Sequence, residues 1–189
     1  TVEVFQFLQL ETRRLGMQNV SWVMKFPIPI LDKPAVIFNT YPKAWEERYL
    51  ANDYLSVDPT VQHCLSSVLP MVWSDSALET APEFWEEARM HGLYEGIALP
   101  VWDRHGCCSM LSLSRDSLPF SKMELLEKVP KIAWLSQVVH SGMSRLILPK
   151  EVPESTVTLS PREKEVLKLV AAGLTSQDVA ARLHITKRT

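Results

Sequence analysis

Three side chains in the first third of the sequence have the chemistry to bind a small polar molecule. Tyr41 stands just before a helix start at Pro42, and Trp45 follows one turn later, so both rings can face the same side of that helix. Asp58 comes thirteen residues after Trp45, and Ser112 places a hydroxyl on an otherwise apolar strand. These residues offer a phenol and an indole as hydrogen-bond donors and a carboxylate as an acceptor.

Bulky apolar residues farther along the sequence would surround these polar groups. They are Trp73, Phe84, Trp85 and Leu93. An apolar pocket with a few convergent polar groups is typical of sites for small amphiphilic ligands. The same residues are also typical of an ordinary core in which Asp58 caps a helix or lies in a turn. The spacing by itself leaves both interpretations open.

The sequence contains no motif that predicts catalysis or metal binding. Gly-x-Ser-x-Gly, a phosphate-binding loop and a zinc pair are all absent. His63 and Cys64 are adjacent in sequence and so do not by themselves form a catalytic pair, and the other histidines are scattered. Asp58 is the only group expected near Trp45 that could activate water. We therefore expect a binding protein rather than an enzyme, with neither a metal nor a cofactor.

The composition is that of a globular protein without a membrane span. Of the 189 residues, 46% are hydrophobic and 22% are charged, and no apolar run approaches the roughly 18 residues that a spanning helix needs. Cys64, Cys107 and Cys108 lack metal-ligand spacing and suit a reducing compartment, so we expect a cytoplasmic protein. The start is not a signal peptide, and because it lacks an initiator Met we expect the sequence to begin inside a longer chain.

Periodicity and turn residues predict alternating helices and strands in the larger part of the chain. The predicted helices are 2–15, 42–50, 82–91 and 122–146, the last one broken or kinked at Pro130, and the predicted strands are 19–26, 35–38, 96–102 and 107–114. A proline-rich loop, 27–34, must connect the first two strands. Met110 and Ser112 would share one face of the last strand. Short strands among helices predict an α+β fold, an α/β/α sandwich around a mostly antiparallel sheet.

The residues after position 148 predict a small, all-helical domain. Two prolines mark 149–158 as a linker. Ser160 and Glu163 then form a capping box, Thr175 opens a second helix in the same way, and a third helix would begin at Thr186. From residue 159 onward six basic residues accompany three acidic ones, the asymmetry expected of an end that approaches nucleic acid. A helix-turn-helix and a generic helical hairpin both fit this spacing.

Several strings of the sequence resemble a known family of regulators. LSPREKEVLKLVAAGLTSQDVAARLHITKRT resembles the first part of the LuxR-type helix-turn-helix. TYPKAWEERY, VDPTVQHCLSSVLPMVW and EFWEEARMHGLYEGIALPV resemble, in order, blocks of the autoinducer-binding domain of LuxR-type quorum-sensing regulators, in particular the LasR-like subgroup. The resemblance implies an autoinducer-binding domain over 1–148, a linker over 149–158 and a truncated DNA-binding domain over 159–189.

The resemblance also implies a role for each residue of the candidate site. Tyr41 matches the residue that donates to the amide carbonyl of an N-acyl-homoserine lactone, Trp45 the one that binds the lactone carbonyl, and Asp58 the one that accepts the amide N–H. Ser112 and Thr60 match further hydroxyl contacts at the head group. The remaining matches are Trp73, Phe84 and Leu93 around the lactone ring, and Val61 and Tyr49 near the acyl chain.

Two positions bear on which lactone would fit. Ala98 stands where some relatives carry a Thr near the head group, so that contact is missing here. Met110, on the pocket-facing side of its strand, could shorten or reshape the tunnel for the acyl chain.

The implied function is ligand-dependent regulation of transcription. A homodimer that binds a medium-chain to long-chain lactone would bind promoter DNA, with Thr186, Lys187, Arg188 and Thr189 at the first turn of the recognition helix. Without the rest of that helix the chain is not expected to bind DNA specifically. Two alternatives stay open, a solo receptor for a different small molecule and a heterodimerising decoy that lacks DNA binding.

Two further expectations concern switching and dimerisation. An empty apolar tunnel and an Asp58 without a buried partner would destabilise the ligand-free protein, so that ligand would raise the folded, dimerising population. Helix 122–146 is the candidate dimer surface. Trp134, Val138 and Val139 would form an apolar strip on it, unless they belong to the core.

Overall fold

The structure, a computed structural model, describes residues 1–26, 35–73, 80–104, 106–116, 119–151 and 159–186. The helices of these ranges are α1 (Val2–Arg14), α2 (Lys43–Ala51), α3 (Pro59–Ser66), α4 (Pro82–Met90), α5 (Lys122–Glu151), α6 (Pro161–Ala171) and α7 (Ser176–Leu183). The strands are β1 (Asn19–Lys25), β2 (Val36–Asn39), β3 (Met71–Val72), β4 (Glu95–Trp102) and β5 (Cys108–Arg115). The four predicted strands and the first three predicted helices are confirmed to within one residue at each end, whereas α3 and β3 were not predicted.

The five strands form one antiparallel sheet in the order β2-β1-β5-β4-β3. Ser112 of β5 lies opposite Ser21 of β1 and Ala98 of β4. Because successive side chains of a strand point to opposite sides, these residues share one face of the sheet with Met110, which we call the Ser112 face. Ser109 points to the other side, which we call the Ser109 face.

Helices cover both faces of the sheet. On the Ser109 face the ring of Phe5 in α1 packs against Phe38 of β2, with 5.5 Å between ring centroids, and a hydrogen bond joins α5 to β5. On the Ser112 face the thiol of Cys108 donates to the carbonyl oxygen of Cys64 in α3, 3.7 Å away. The predicted α/β/α sandwich around an antiparallel sheet is therefore confirmed.

Helix α5 is continuous from Lys122 to Glu151, so of the break or kink predicted at Pro130 the break is wrong. Pro130 lies on the exposed side of the helix, and before it the ammonium of Lys128 donates to the carbonyl oxygen of Leu15 at 2.6 Å. The buried side after it includes Ile132, Leu135 and Val139. Contacts on both sides of the proline thus hold the helix together despite the missing N–H. Neither α5 nor any other described helix is long and apolar enough to cross a membrane.

The apolar strip expected on α5 divides between core and surface. Val139 is 1% exposed and belongs to the core, whereas Trp134 is 72% and Val138 is 42% exposed. Phe7 of α1 and Leu15, the C-cap of that helix, join the two exposed residues along a groove of about 610 Å³. The surface part of the strip is therefore the pair Trp134 and Val138.

Contacts divide the chain into two compact units, Thr1–Ile147 and Leu148–Thr189. In the second unit a reciprocal capping box, Ser160 with Glu163, opens α6, and Thr175 with Asp178 opens α7 in the same way, as predicted. Gly173, at φ +84°, takes the left-handed conformation that ends α6.

Two expectations about the second unit concern segments that lie partly outside the described residues. Helix α5 continues to Glu151, so the first three residues of the segment expected as a linker, 149–158, are helical, and the remainder lies outside the described residues. Thr186 is described and exposed. Lys187, Arg188 and Thr189, with the third helix expected there, lie outside the described residues.

Candidate functional site

Asp58 is buried at the N-cap of α3. Its Oδ1 accepts hydrogen bonds from the backbone N–H of Thr60 at 2.8 Å and from the hydroxyl of the same residue at 2.7 Å. Pro59 occupies the first helical position, where an N–H would have no partner within the helix. One oxygen of Asp58 therefore caps α3, which is the role expected if Asp58 belongs to an ordinary core. Thr60 contacts the carboxylate directly.

The second oxygen of Asp58 points toward Tyr49. The Tyr49 hydroxyl donates to Oδ2 at 2.9 Å, so the expectation that Asp58 lacks a buried partner without ligand is wrong. Tyr49, matched to the acyl-chain region, thus has its hydroxyl at the carboxylate. The backbone N–H of Val61 also acts on this carboxylate, and a carboxylate oxygen has two lone pairs, so Oδ2 can accept a further donor beside the Tyr49 hydroxyl.

Burial shapes the electrostatics of this pair. It raises the pKa of Asp58, and the hydrogen bonds from Thr60 and Tyr49 oppose that rise because they stabilise the charged form. Burial, followed by the neighbouring Asp58 charge, raises the pKa of Tyr49. Tyr49 therefore stays a neutral phenol that donates its proton to the carboxylate.

Buried aromatic and apolar side chains from α2, α4 and the segments around them pack together beside Asp58. This aromatic cluster comprises Trp45, Tyr54, Trp73, Phe84, Trp85, Ala88 and Leu93. The centroid of the Trp45 ring lies 5.7 Å from that of Phe84 and 5.8 Å from that of Tyr49, distances typical of aromatic pairs. Tyr41 and Tyr49 pack against the cluster from its edge. The structure thus brings together Trp45, Trp73, Phe84 and Leu93, which the sequence had marked.

Tyr41 lies where the aromatic cluster meets the Ser112 face of the sheet. Burial raises the pKa of its hydroxyl, and the nearby hydroxyls of Ser112 and Ser114 lower it. Both serine hydroxyls are fully enclosed, yet neither makes a hydrogen bond of good geometry within the described part of the chain. Two buried donor–acceptor groups therefore lie beside the Tyr41 hydroxyl without a well-formed hydrogen bond among the described residues.

Trp73 lies flat against β4 because the strand has a glycine beneath it. A Cβ at Gly96 would stand 2.5 Å from the indole ring, so no larger residue fits unless the ring moves. The indole Nε1 of Trp73 is buried and, among the described residues, has no hydrogen-bond partner. Nε1 of Trp22, on the Ser109 face, is also buried without a hydrogen-bond partner among the described residues.

The remaining predicted residues fall around this site. Val61 follows Thr60 in α3, and its backbone N–H helps to lower the pKa of Asp58. Met110 is half-buried on the Ser112 face, one position along that face from Ser112. Ala98 is fully buried directly opposite Ser112.

Three residues of the site were missed by the sequence analysis. Tyr54 is a core member of the cluster, the ring of His91 lies 5.4 Å from that of Trp45, and Ser114 stands beside Tyr41. Trp85, which the sequence had marked as a bulky apolar residue without a further role, is also a core member of the cluster. The period-two spacing of Ser114 from Ser112 was a signal that could have found it, whereas Tyr54 and His91 had none.

An ion pair holds together the two helices that carry most of the cluster. The guanidinium of Arg48 in α2 donates to both oxygens of Glu87 in α4, each at 2.6 Å. Arg48 lowers the pKa of Glu87 to about 2. A bidentate pair fixes orientation as well as distance, so α2 and α4 present Trp45 and Phe84 to each other in a defined geometry.

The site as a whole suits binding of an amphiphilic molecule with a polar head. Tyr41, Ser112, Ser114 and the indole of Trp73 offer donors, and Asp58 offers an acceptor. Aromatic rings supply the apolar walls. A ligand with two carbonyl acceptors and one N–H donor would match this set.

Two family models match the chain. A model described as the autoinducer binding domain matches residues 1–143, and a model described as bacterial regulatory proteins of the LuxR family matches residues 157–189. The first match contains the whole aromatic cluster, Asp58 and the Ser112 face. The second contains α6 and α7.

Curated relatives are similar over nearly the whole chain. The transcriptional activator protein AnoR of Acinetobacter nosocomialis is 36% identical over 99% of this chain and 79% of its own length. The HTH-type quorum-sensing regulator RhlR of Pseudomonas aeruginosa is 34% identical over 98% of this chain and 77% of its own length. Both relatives are regulators of transcription and not enzymes.

Solved structures show the same fold. The crystal structure of Escherichia coli SdiA matches with a TM-score of 0.73 and 28% identity, over 98% of this chain and 78% of that one. CepR2 of Burkholderia cenocepacia, described as an N-acylhomoserine lactone dependent LuxR family transcription factor, matches with a TM-score of 0.62 and 27% identity, over 74% of this chain and 82% of that one. A binding domain that matches 143 residues, followed by the start of a helix-turn-helix, makes this chain a member of the LuxR family of quorum-sensing transcriptional regulators.

Proposed function

We propose that this chain binds an N-acyl-homoserine lactone between the aromatic cluster and the Ser112 face, and regulates transcription in the cytoplasm as a homodimer. The observation that supports this most is a group of buried polar atoms that make no hydrogen bond of good geometry among the described residues: Trp73 Nε1 and the hydroxyls of Ser112 and Ser114, both of which lie beside Tyr41. Each unpaired buried group costs about 1–3 kcal/mol. A ligand that pairs one of them would therefore stabilise the fold.

The lactone head matches the site group by group. Its amide N–H would donate to the available lone pair on Oδ2 of Asp58, and its amide carbonyl would accept from Tyr41 and Ser112. The lactone carbonyl would accept from the indole of Trp45, as in the family pattern. The rings of Trp73 and Phe84 would enclose the lactone, and the dependence of the similar CepR2 on N-acylhomoserine lactone supports this ligand class.

The acyl chain would run along the Ser112 face toward Met110. Val23 of β1 and Pro100 of β4 lie opposite Met110 in the register, so this part of the face is apolar. Methionine is flexible and adapts its shape to a neighbouring chain. We infer a ligand of medium to long chain length, with Met110 near its end.

Unfolding midpoints measured against lactones of different chain lengths would test the proposal. A lactone at a hundred times its dissociation constant should stabilise the fold by about 2.7 kcal/mol, and at one fixed concentration the increase should depend on chain length because affinity does. Asp58→Asn and Trp45→Phe should abolish most of this increase. Asp116→Asn and Trp102→Phe, at exposed positions, are the matched controls and should keep it.

Other outcomes of the same measurement identify the alternatives. A folded protein that no lactone stabilises would refute the lactone proposal and favour a solo receptor for a different molecule. Promoter binding belongs to a chain that includes the rest of the recognition helix. If such a chain dimerised with lactone yet bound no DNA, a heterodimerising decoy would be the better description.

A further inference from the structure

A chain of buried polar groups joins α5 to the sheet on the Ser109 face, away from the candidate ligand site. The hydroxyl of Ser109 in β5 lies 2.7 Å from Nδ1 of His140 in α5. Nε2 of the same imidazole lies 3.3 Å from Oδ2 of Asp103, in the turn between β4 and β5. Ser109 and His140 are 1% and 5% exposed. Three segments thus meet at one histidine.

The hydrogen-bond partners define which nitrogen of His140 carries the proton. The carboxylate of Asp103 can only accept, so Nε2 bears the hydrogen and donates to it, with Ser144 of α5 also 3.3 Å from Nε2. Nδ1 is then the acceptor, and the Ser109 hydroxyl donates to it. The arrangement therefore fits a neutral imidazole.

The three residue types are those of a hydrolytic triad, but the site does not support catalysis. Ser109 is enclosed between the sheet and α5, so a substrate has no access to its hydroxyl. The serine also bonds Nδ1 and the carboxylate Nε2, the reverse of the usual triad arrangement. The chain of hydrogen bonds is an attachment between structural elements.

Asp103 is the charged group that acts on His140 from the segments packed around it. On the turn, the backbone N–H of Cys107 donates to Oδ1 of Asp103 at 3.0 Å, and burial raises the pKa of the Cys107 thiol to about 11, so this thiol stays neutral. From β5 the facing group is Ser109, and from α5 itself it is Ser144. Among the described residues, no other charge is shown to act on the imidazole.

We propose that Ser109, His140 and Asp103 form a pH-sensitive latch that attaches α5 to the sheet and weakens when His140 is protonated. A second proton on Nδ1 would turn the acceptor into a donor, and the buried Ser109 hydroxyl would have to reverse its hydrogen bond. The chain continues from α5 into the second unit, so the attachment of this helix is a point at which acidity could regulate the protein. The latch lies on the opposite face from the ligand site and does not depend on the ligand.

The sign of the pH dependence follows from burial. Burial lowers the pKa of His140 from its ordinary value of 6.5, and the charge of Asp103 and its hydrogen bond oppose this only in part. Below about pH 6.5 the unfolded chain binds a proton that the folded chain does not yet bind. The stability contributed by the neutral histidine is therefore complete above that pH, and it is lost as pH falls toward the lower pKa of the folded state.

Urea denaturation of the full chain without ligand, from pH 8 to pH 5, tests the latch. We expect the folding equilibrium constant to fall with decreasing pH below about 6.5, by up to tenfold per pH unit from this one group. His140→Gln, which keeps hydrogen-bonding groups but cannot titrate, should remove that component. His63→Gln, at a part-buried position with a single bond to a backbone carbonyl, is the matched control and should retain it.

Two direct measurements keep the test decisive if His140→Gln folds poorly. An NMR titration of the His140 ring in the unaltered protein should give a pKa below 6.5, and Asp103→Asn should lower it further, whereas Asp116→Asn should not. Amide exchange in α5 around His140 should accelerate on acidification. A folded-state pKa at or above 6.5, or an unchanged pH dependence in folded His140→Gln, would overturn the proposal.

Discussion

At the scale of single residues, the polar groups of the proposed ligand site fall into two classes. Asp58 is satisfied in the ligand-free chain, with Thr60 on one oxygen and Tyr49 on the other. Ser112 and Ser114 are buried beside Tyr41 without a hydrogen bond of good geometry among the described residues. A lactone would therefore give the Ser112 hydroxyl a missing hydrogen bond, whereas at Asp58 it would add a hydrogen bond to a carboxylate that already has partners.

Replacing Ser112 by Ala should have opposite effects with and without ligand. Without lactone, the free energy of unfolding should stay the same or rise by about 1 kcal/mol, because an unpaired buried hydroxyl is removed. With lactone, the binding free energy should weaken by about 0.5–1.5 kcal/mol through the lost hydrogen bond. Urea denaturation and calorimetric titration measure the two effects.

Ser136→Ala is the matched control for that prediction. Ser136 is also buried, but its hydroxyl donates to the carbonyl oxygen of Ala133 at 2.8 Å. Its replacement should leave lactone affinity unchanged and should not raise stability. A loss of ligand-free stability in Ser112→Ala larger than in Ser136→Ala would show that the Ser112 hydroxyl has a structural partner.

Gly96→Ala should displace Trp73. The new Cβ would stand 2.5 Å from the indole, so we expect a destabilisation of about 1–3 kcal/mol and a change in tryptophan fluorescence. Gly142→Ala in α5 is the control, since its Cβ would meet Val4 at an ordinary 3.7 Å and should stabilise the helix by about 0.5–1 kcal/mol. Chemical denaturation of both variants makes the comparison, and an unperturbed Gly96→Ala would contradict the close packing.

At the scale of elements, α5 shows how tertiary packing overrides a helix breaker. Its first turns are attached by a bidentate ion pair between Arg115 and Glu124, and its later turns are buried against the sheet. The intervening proline lies on the exposed side. The helix therefore stays continuous because both of its halves are held independently.

Pro130→Ala should stabilise the protein. The substitution restores a backbone N–H to the helix and removes a steric clash, together about 3 kcal/mol, while the more flexible unfolded chain returns about 0.4–1 kcal/mol. We expect a net gain of about 2 kcal/mol in urea denaturation. Lys131→Ala, next to it and also exposed, should change stability by less than about 0.5 kcal/mol. Equal effects in the two variants would mean that α5 accommodates the proline without strain.

At the scale of the whole molecule, the exposed apolar pair on α5 is the surface that the proposed homodimer would use. Trp134 and Val138, on the exposed side of α5, line a groove together with Phe7 of α1. A large exposed tryptophan beside other apolar groups is typical of interface anchors. The same helix carries the latch on its buried side, so dimerisation and the pH response would both act through α5.

Trp134→Ala should weaken the homodimer. Loss of an aromatic anchor typically costs at least about 2 kcal/mol of association free energy, which sedimentation of the lactone-bound protein over a concentration series would measure. Leu126→Ala, on the same helix and 71% exposed, is the control and should leave association unchanged. A dimer of unaltered affinity in Trp134→Ala would place the interface elsewhere.

The local elements were predictable because their signals lie within a few residues of one another. The capping box of Ser160 and Glu163, the turn at Gly173 and the alternation along β5 each specify a local conformation without help from the rest of the chain. The polar residues Tyr41 and Asp58 were likewise marked by their types and by the strings around them. The sequence by itself therefore determined the fold class and the family, and it predicted most of the residues that make up the candidate site.

The tertiary structure decided which residues far apart in the chain come into contact. It placed the Tyr49 hydroxyl on one oxygen of Asp58 and the buried Ser114 hydroxyl beside Tyr41. It also kept α5 continuous through Pro130. These outcomes depend on which strands pair and which helix faces meet, and that is settled by the burial of the whole core rather than by any local pattern.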